Sequence, residues 1–135
     1  MLYIDTDPFN PFEFAVYNIK NVKIYDLRKL KEKNEIKTFD VFNNSTDFLK
    51  VKYNKFKENE ILFNSNDINN NTVYIANTVG SELKVSNILI QFGHYGHTCT
   101  VLDFSINKTK DGILKIASVS NDNMINIWTP DDIYL

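Results

Sequence analysis

The sequence predicts an all-β chain built from about three four-stranded antiparallel units, and three observations predict it. Short apolar runs with period-two alternation recur along the 135 residues, separated by turns rich in Asn, Asp and Pro. One unit is legible without help between Gly96 and Trp128, as GHTCTVLDFSINKTKDGILKIASVSNDNMINIW. An apolar-x-apolar third strand recurs as Val22-Lys23-Ile24, Val73-Tyr74-Ile75 and Ile125-Asn126-Ile127, at intervals of 51 and 52 residues.

In the legible unit a Gly-His pair is followed by strands at Val101 to Ile106, Ile113 to Val119 and Met124 to Trp128. Asn121, Asp122 and Asn123 make the turn before the last strand, since these side chains bond their own backbone and tolerate φ > 0. The spacing of His97, Ser118 or Ser120, Asp122 and Trp128 suits one buried chain of hydrogen bonds running through imidazole, hydroxyl, carboxylate and indole N–H. With an Asp six residues before the Trp, this is the pattern of a WD-type propeller blade. The fold class is therefore a partial WD-repeat β-propeller of about three blades, approximately 1–42, 43–92 and 93–135. Closed rings of about seven units need roughly 300 residues or more, so the expected ring is not closed.

Taken in order, the first blade has its first strand in Leu2 to Asp5, at or past the end of the chain, and its second from Pro11 to Tyr17. A turn at Asn18 to Asn21 leads to the third strand at Val22, and an outer strand falls near Glu35 to Phe42. The second blade has strands at Phe48 to Tyr53, Glu60 to Asn64 and Thr72 to Ala76, an Asn-rich turn at 66–71, and an outer strand at Ile88 to Phe92. Here Asn44 stands in the place of His97 and Ala76 in that of Trp128, so low intrinsic stability is expected of this blade. After Trp128 the Thr129-Pro130 step interrupts the pattern, and no fourth strand is expected.

A composition of 43% hydrophobic and 24% charged residues is that of a globular chain rather than a disordered one. The single cysteine, Cys99, has no internal partner, and the N-terminus lacks the basic and apolar regions of a signal peptide, so an intracellular, soluble protein is expected. Residues 20–57 hold eleven of the fifteen basic residues against five acids, which leaves the remainder acidic. Arg28, Lys29, Lys31 and Lys33 read as a nuclear-import or nucleic-acid patch, or, with Glu32 and Glu35 interrupting them, as a solvated loop.

Ser120, His97 and Asp122 are the residue types of a hydrolase triad. The chain has no G-x-S-x-G elbow, however, and the Trp at its fixed offset assigns all three to the blade. His94, His97 and Cys99 form a string of possible metal ligands without the further His or Cys that a zinc site needs. Neither a phosphate-binding glycine loop nor a paired-carboxylate context is present. No metal, cofactor or small-molecule substrate is expected, and the chain reads as a binding scaffold rather than an enzyme.

The run Phe92-x-His94-x-Gly96-His97-Thr98, with Asp103-Phe104-Ser105, Ser118-Val119-Ser120-x-Asp122-Asn123, Trp128 and Ile133-Tyr134, resembles the end of the histone-binding WD-repeat proteins, the retinoblastoma-binding, MSI-type chaperone subunits. Phe9-Asn10-Pro11, Glu13-Phe14 and Tyr25-Asp26-Leu27-Arg28-x-Leu30 are similar to that family's late blades. The resemblance implies a seven-bladed propeller that works without catalysis. Such proteins hold core histones for chromatin assembly, acetyltransferase, deacetylase, remodelling and Polycomb complexes. It further implies a nuclear location, with or without a cytoplasmic share, and contact with nucleic acid only through partners.

Two family sites carry over in part. A side groove for a histone helix would include Phe92, Asp132 and Ile133, the apolar pair holding the helix stripe and Asp132 accepting its hydrogen bonds. The family's N-terminal helix is missing, and the loop from Thr78 to Asn87 keeps only Glu82 of the acidic run. On the flat face that takes basic tails, Asp47 matches an acid, Leu49 replaces an aromatic and Asn121 replaces an acid. Fewer charges there weaken the grip on Arg and Lys. The alternatives are a generic WD-repeat adaptor that serves another assembly, and a partial gene product without a function of its own.

Overall fold

The β-branched and aromatic runs of the sequence form eleven strands in a computed structural model, which describes residues 2–29, 35–41, 48–67, 70–79, 86–87 and 97–129. The first sheet is a meander of β1 (Tyr3–Thr6), β2 (Glu13–Tyr17), β3 (Asn21–Asp26) and β4 (Glu35–Asp40). The second is a meander of β5 (Val51–Tyr53), β6 (Glu60–Asp67), β7 (Asn70–Asn77) and β8 (Ser86–Asn87). The third holds β9 (Val101–Lys108), β10 (Leu114–Ser120) and β11 (Ile125–Trp128), with β10 in the middle. Every pairing is antiparallel, and the three sheets do not close on one another. Among the described residues one 3-10 turn, Leu27–Lys29, is the only helical element, and no helix is long and apolar enough to cross a membrane.

Period-two patterning sends alternate residues to opposite faces of each sheet. Ala15, Tyr17, Val22, Ile24 and Phe39 leave the first sheet on one side and meet Val51, Tyr53, Ile61, Phe63 and Ala76 of the second. Phe63 is the centre of that layer, edge-on to Tyr17 at 5.8 Å and stacked on Tyr74 at 5.5 Å. The opposite face of the second sheet, through Leu62, Val73 and Ile75, packs on Val101, Phe104, Ile106 and Ile116 of the third. Three successive residues of β6, Ile61, Leu62 and Phe63, are thus buried on alternating sides. Among the described residues, the blade of which low stability is expected is the one sheet with both faces covered.

Asn64, fully buried on β6, joins all three sheets. Its side-chain oxygen accepts from Lys50 N–H at 2.7 Å, and its amide donates to Phe48 O at 2.7 Å and to Val101 O at 3.0 Å. Its main-chain oxygen accepts the buried Tyr17 hydroxyl. The side chain takes the Lys50 N–H that would otherwise reach Asn64 O, Asn64 N–H keeps Lys50 O at 3.3 Å, and Phe48 stands at φ 61°. This strand is therefore Val51–Tyr53 rather than Phe48 to Tyr53.

The other differences are local. The first strand lies wholly inside the chain at Tyr3–Thr6, and the second begins at Glu13 because Glu13 N–H and Phe12 N–H turn back to Asn10 O and Asn10 Oδ1. The Asn18 to Asn21 turn is present, with Asn18 Oδ1 accepting from Lys20 and Asn21 N–H. The turn expected at 66–71 is mostly strand, since Asn66 pairs with Asn71 and Asp67 with Asn70. That ladder supplies the backbone hydrogen bonds a loop would leave to water. The outer strand of the second sheet is Ser86–Asn87, and the expected Ile88 to Phe92 lies outside the described residues.

Replacing Asn64 by Ala removes the side-chain partner of Lys50 N–H, Phe48 O and Val101 O, at about 1–3 kcal/mol for each group that finds no replacement. Urea denaturation of Asn64→Ala is expected to show a loss of about 3 kcal/mol or more, a large part of the stability of a domain this size.

Candidate functional site

The Gly-His opening of the third sheet places His97 under the turn between β10 and β11. The imidazole has no solvent exposure. Its Nδ1 lies 3.0 Å from Asp122 Oδ2 and its Nε2 2.8 Å from Ser118 Oγ. A carboxylate only accepts, so Nδ1 carries a proton. In the neutral ring Nε2 then accepts from the Ser118 hydroxyl. Asp122 also accepts from Thr98 N–H and Met124 N–H, both at 2.9 Å, and this closes the turn in which Asn123 adopts φ 63°. Burial is the strongest single influence on the Asp122 carboxyl and pushes its pKa up. The Met124 and Thr98 N–H groups and His97 together outweigh it and hold the pKa below the usual 3.8.

Of the two candidate serines it is Ser118 that meets the histidine. Ser120 donates instead to Cys99 O at 2.9 Å. The chain of hydrogen bonds ends at Ser118, because the buried Trp128 indole N–H has no hydrogen-bond partner among the described residues. The register explains the break. Trp128 stands opposite Ile116, whereas Ser118 stands opposite Asn126. Trp128 contributes apolar contact to the cluster around Ile116 and Phe104.

Ser118, His97 and Asp122 have the connectivity of a hydrolytic triad with a different serine from Ser120. Ser118 is 0% exposed in the centre of a sheet, so a substrate carbonyl has no path to its hydroxyl. With both ring nitrogens engaged, His97 has no lone pair free for a metal, Cys99 is exposed, and His94 lies outside the described residues.

Of the histone-contact candidates, Phe92, Asp47, Asp132 and Ile133 lie outside the described residues. Leu49 is 5% exposed and belongs to the core between the first two sheets, so it presents no surface to a partner. Asn121 is exposed in the turn that Asp122 closes. Arg28 of the basic cluster lies against Asp26, Nη2 to Oδ2 at 2.6 Å, and the Arg28 hydrogen bonds lower the Asp26 pKa to about 2.

A cavity of about 350 Å³ has no counterpart in the sequence motifs. Tyr3, Asp5 and Thr6 of β1, Lys52 and Tyr53 of β5, and Ser105 and Ile106 of β9 line it, with Pro8 and Lys55. The first strand of every sheet therefore reaches one space. Asp5 Oδ2 accepts from Tyr53 N–H at 2.8 Å, and Lys52 donates to Phe104 O and pairs with Asp103 at 3.0 Å. Burial, then the charges of Glu13 and Asp7, push the Tyr53 phenol far up, so it stays protonated and donates to Glu13 at 3.3 Å. Only the alternation of β1 and β5 could have pointed to these residues, and it does not say that the two strands are neighbours.

No family model matches the chain, and no curated protein matches it.

His97→Ala is expected to lower stability by about 2–4 kcal/mol, because it opens a cavity and orphans the buried Ser118 hydroxyl. The Asp122 pKa is depressed in the folded chain, so its stabilisation is present above about pH 4 and lost as pH falls through the folded value. Thermal melts of wild type and Asp122→Asn should therefore differ at neutral pH and converge in acid.

Proposed function

We propose that this chain is a partial WD-repeat β-propeller of about three blades that serves as a non-catalytic histone-binding scaffold in a chromatin complex. The convergence of β1, β5 and β9 on one cavity supports the propeller reading, because propeller blades stand around a central channel. The sealed His97, Ser118 and Asp122 network supports a structural rather than a catalytic role for those residues. The histone partner and the nuclear location rest on the motif resemblance in the last third of the chain. In this reading Phe92, Ile133 and Asp132 hold a histone helix, and Asp47 and Asn121 face a basic tail.

A second reading, a generic WD-repeat adaptor, is favoured by two observations. Leu49 is buried, and the cavity is lined by Lys55 and by Lys52, itself paired with Asp103, with Asp5 as the one acid among the described residues that line it, which is not the acidic surface a basic tail needs. Pull-down with core histones separates the two. Histone retention at low ionic strength that falls as salt is added, and that drops about tenfold in the double variant Asp47→Lys, Asp132→Lys, supports the histone reading. Absence of retention at low ionic strength overturns it, and retention indifferent to both reversals points to the adaptor.

A further inference from the structure

The repeated third strand meets three different environments. Val22 and Ile24 of β3 are both 0% exposed under the second sheet, and Val73 and Ile75 of β7 are 0% and 8% exposed under the third. The corresponding Ile125 and Ile127 of β11 are 68% and 69% exposed. With half-buried Val119 and Ala117 opposite them on β10, they make the β10–β11 half of the outer face apolar, while exposed Asp103 and Ser105 of β9 make its inner margin polar. A monomeric surface rarely keeps such a patch bare.

The surface that covers a face of this kind is present elsewhere in the same chain. Within the chain each joint places the forward face of one sheet against the rear face of the next, and the rear face of the first sheet has no sheet behind it among the described residues. It carries Ile4, 60% exposed and opposite Val16, and the stacked pair Phe14 and Tyr25 at 5.3 Å, with Lys23 beside them opposite Val16. We infer that a second copy of this chain covers Ile125 and Ile127 with the Ile4 and Phe14 face of its first sheet, and that the reciprocal joint closes a head-to-tail dimer of six sheets. Six lies within the four to eight blades of known propellers, and a two-fold axis through the cavity makes the two new joints identical. Each new joint continues the sheet-on-sheet packing already present twice in the chain. The inference rests on the propeller reading and is independent of histone binding.

Size-exclusion chromatography with light scattering on the whole chain is expected to give twice the 15.7 kDa chain mass. Ile127→Lys and Ile4→Glu each place a charge on an exposed position. Each is expected to yield a monomer with an unchanged far-UV circular dichroism spectrum, and Ile125→Lys serves should Ile127→Lys unfold. Mixing Ile127→Lys with Ile4→Glu should restore the dimer, because one joint is then intact and the other pairs opposite charges. A wild-type monomer, open polymers, or single variants whose mixture stays monomeric would each overturn the inference. A monomer that still retains histones overturns the dimer alone, and a dimer that retains none supports the dimer while ending the histone reading.

Discussion

Asn64 is the constraint on which the arrangement of sheets depends. A primary amide buried in a core is destabilising unless its donors and acceptor are matched, and here the matches come from the segment ahead of β5 and from β9 of the third sheet. Tyr17 of the first sheet and Val101 of the third are both tied to this one residue of the second. Apolar packing across the two joints supplies most of the burial but is tolerant of sliding. Directional bonds at Asn64 select one register for three sheets at once.

The His97 cluster does a similar task within one sheet. It fastens the segment entering β9 to the turn between β10 and β11, and so binds residues 97 and 122 across the full width of the sheet. Its likeness to a triad is chemical rather than functional. A nucleophile needs approach, and burial of Ser118 removes it. Trp128, the residue most diagnostic in the sequence, contributes packing and leaves its N–H unmatched among the described residues.

Electrostatics divide the inner edge from the outer faces. Lys52 and Lys55 stand at the cavity with Asp5, and Lys50 lies over the Tyr3 ring at 4.5 Å. The bases gathered in residues 20–57 thus partly converge where the first strands meet. A partner entering there from the open side meets cations, phenols and Asp5, whereas one approaching the end faces meets Ile, Val and Phe with Asp103 and Lys23 beside them. The two surfaces suit different chemistry, and only the apolar faces repeat the joints already inside the chain.

Local patterning by itself determined the all-β class, ten of the strand positions to within a few residues, the turns at Asn18 and Asp122, and the pairing of His97 with a serine and an aspartate. Those features depend on alternation and on side chains close along the strand, which a linear sequence displays. Asn64 as a junction, Leu49 as core, Ser118 rather than Ser120 on the histidine, and the meeting of β1, β5 and β9 were decided by tertiary structure. Each depends on which face of a strand meets which neighbour, at separations of tens of residues, and a one-residue change of register would send the same side chains to the opposite side.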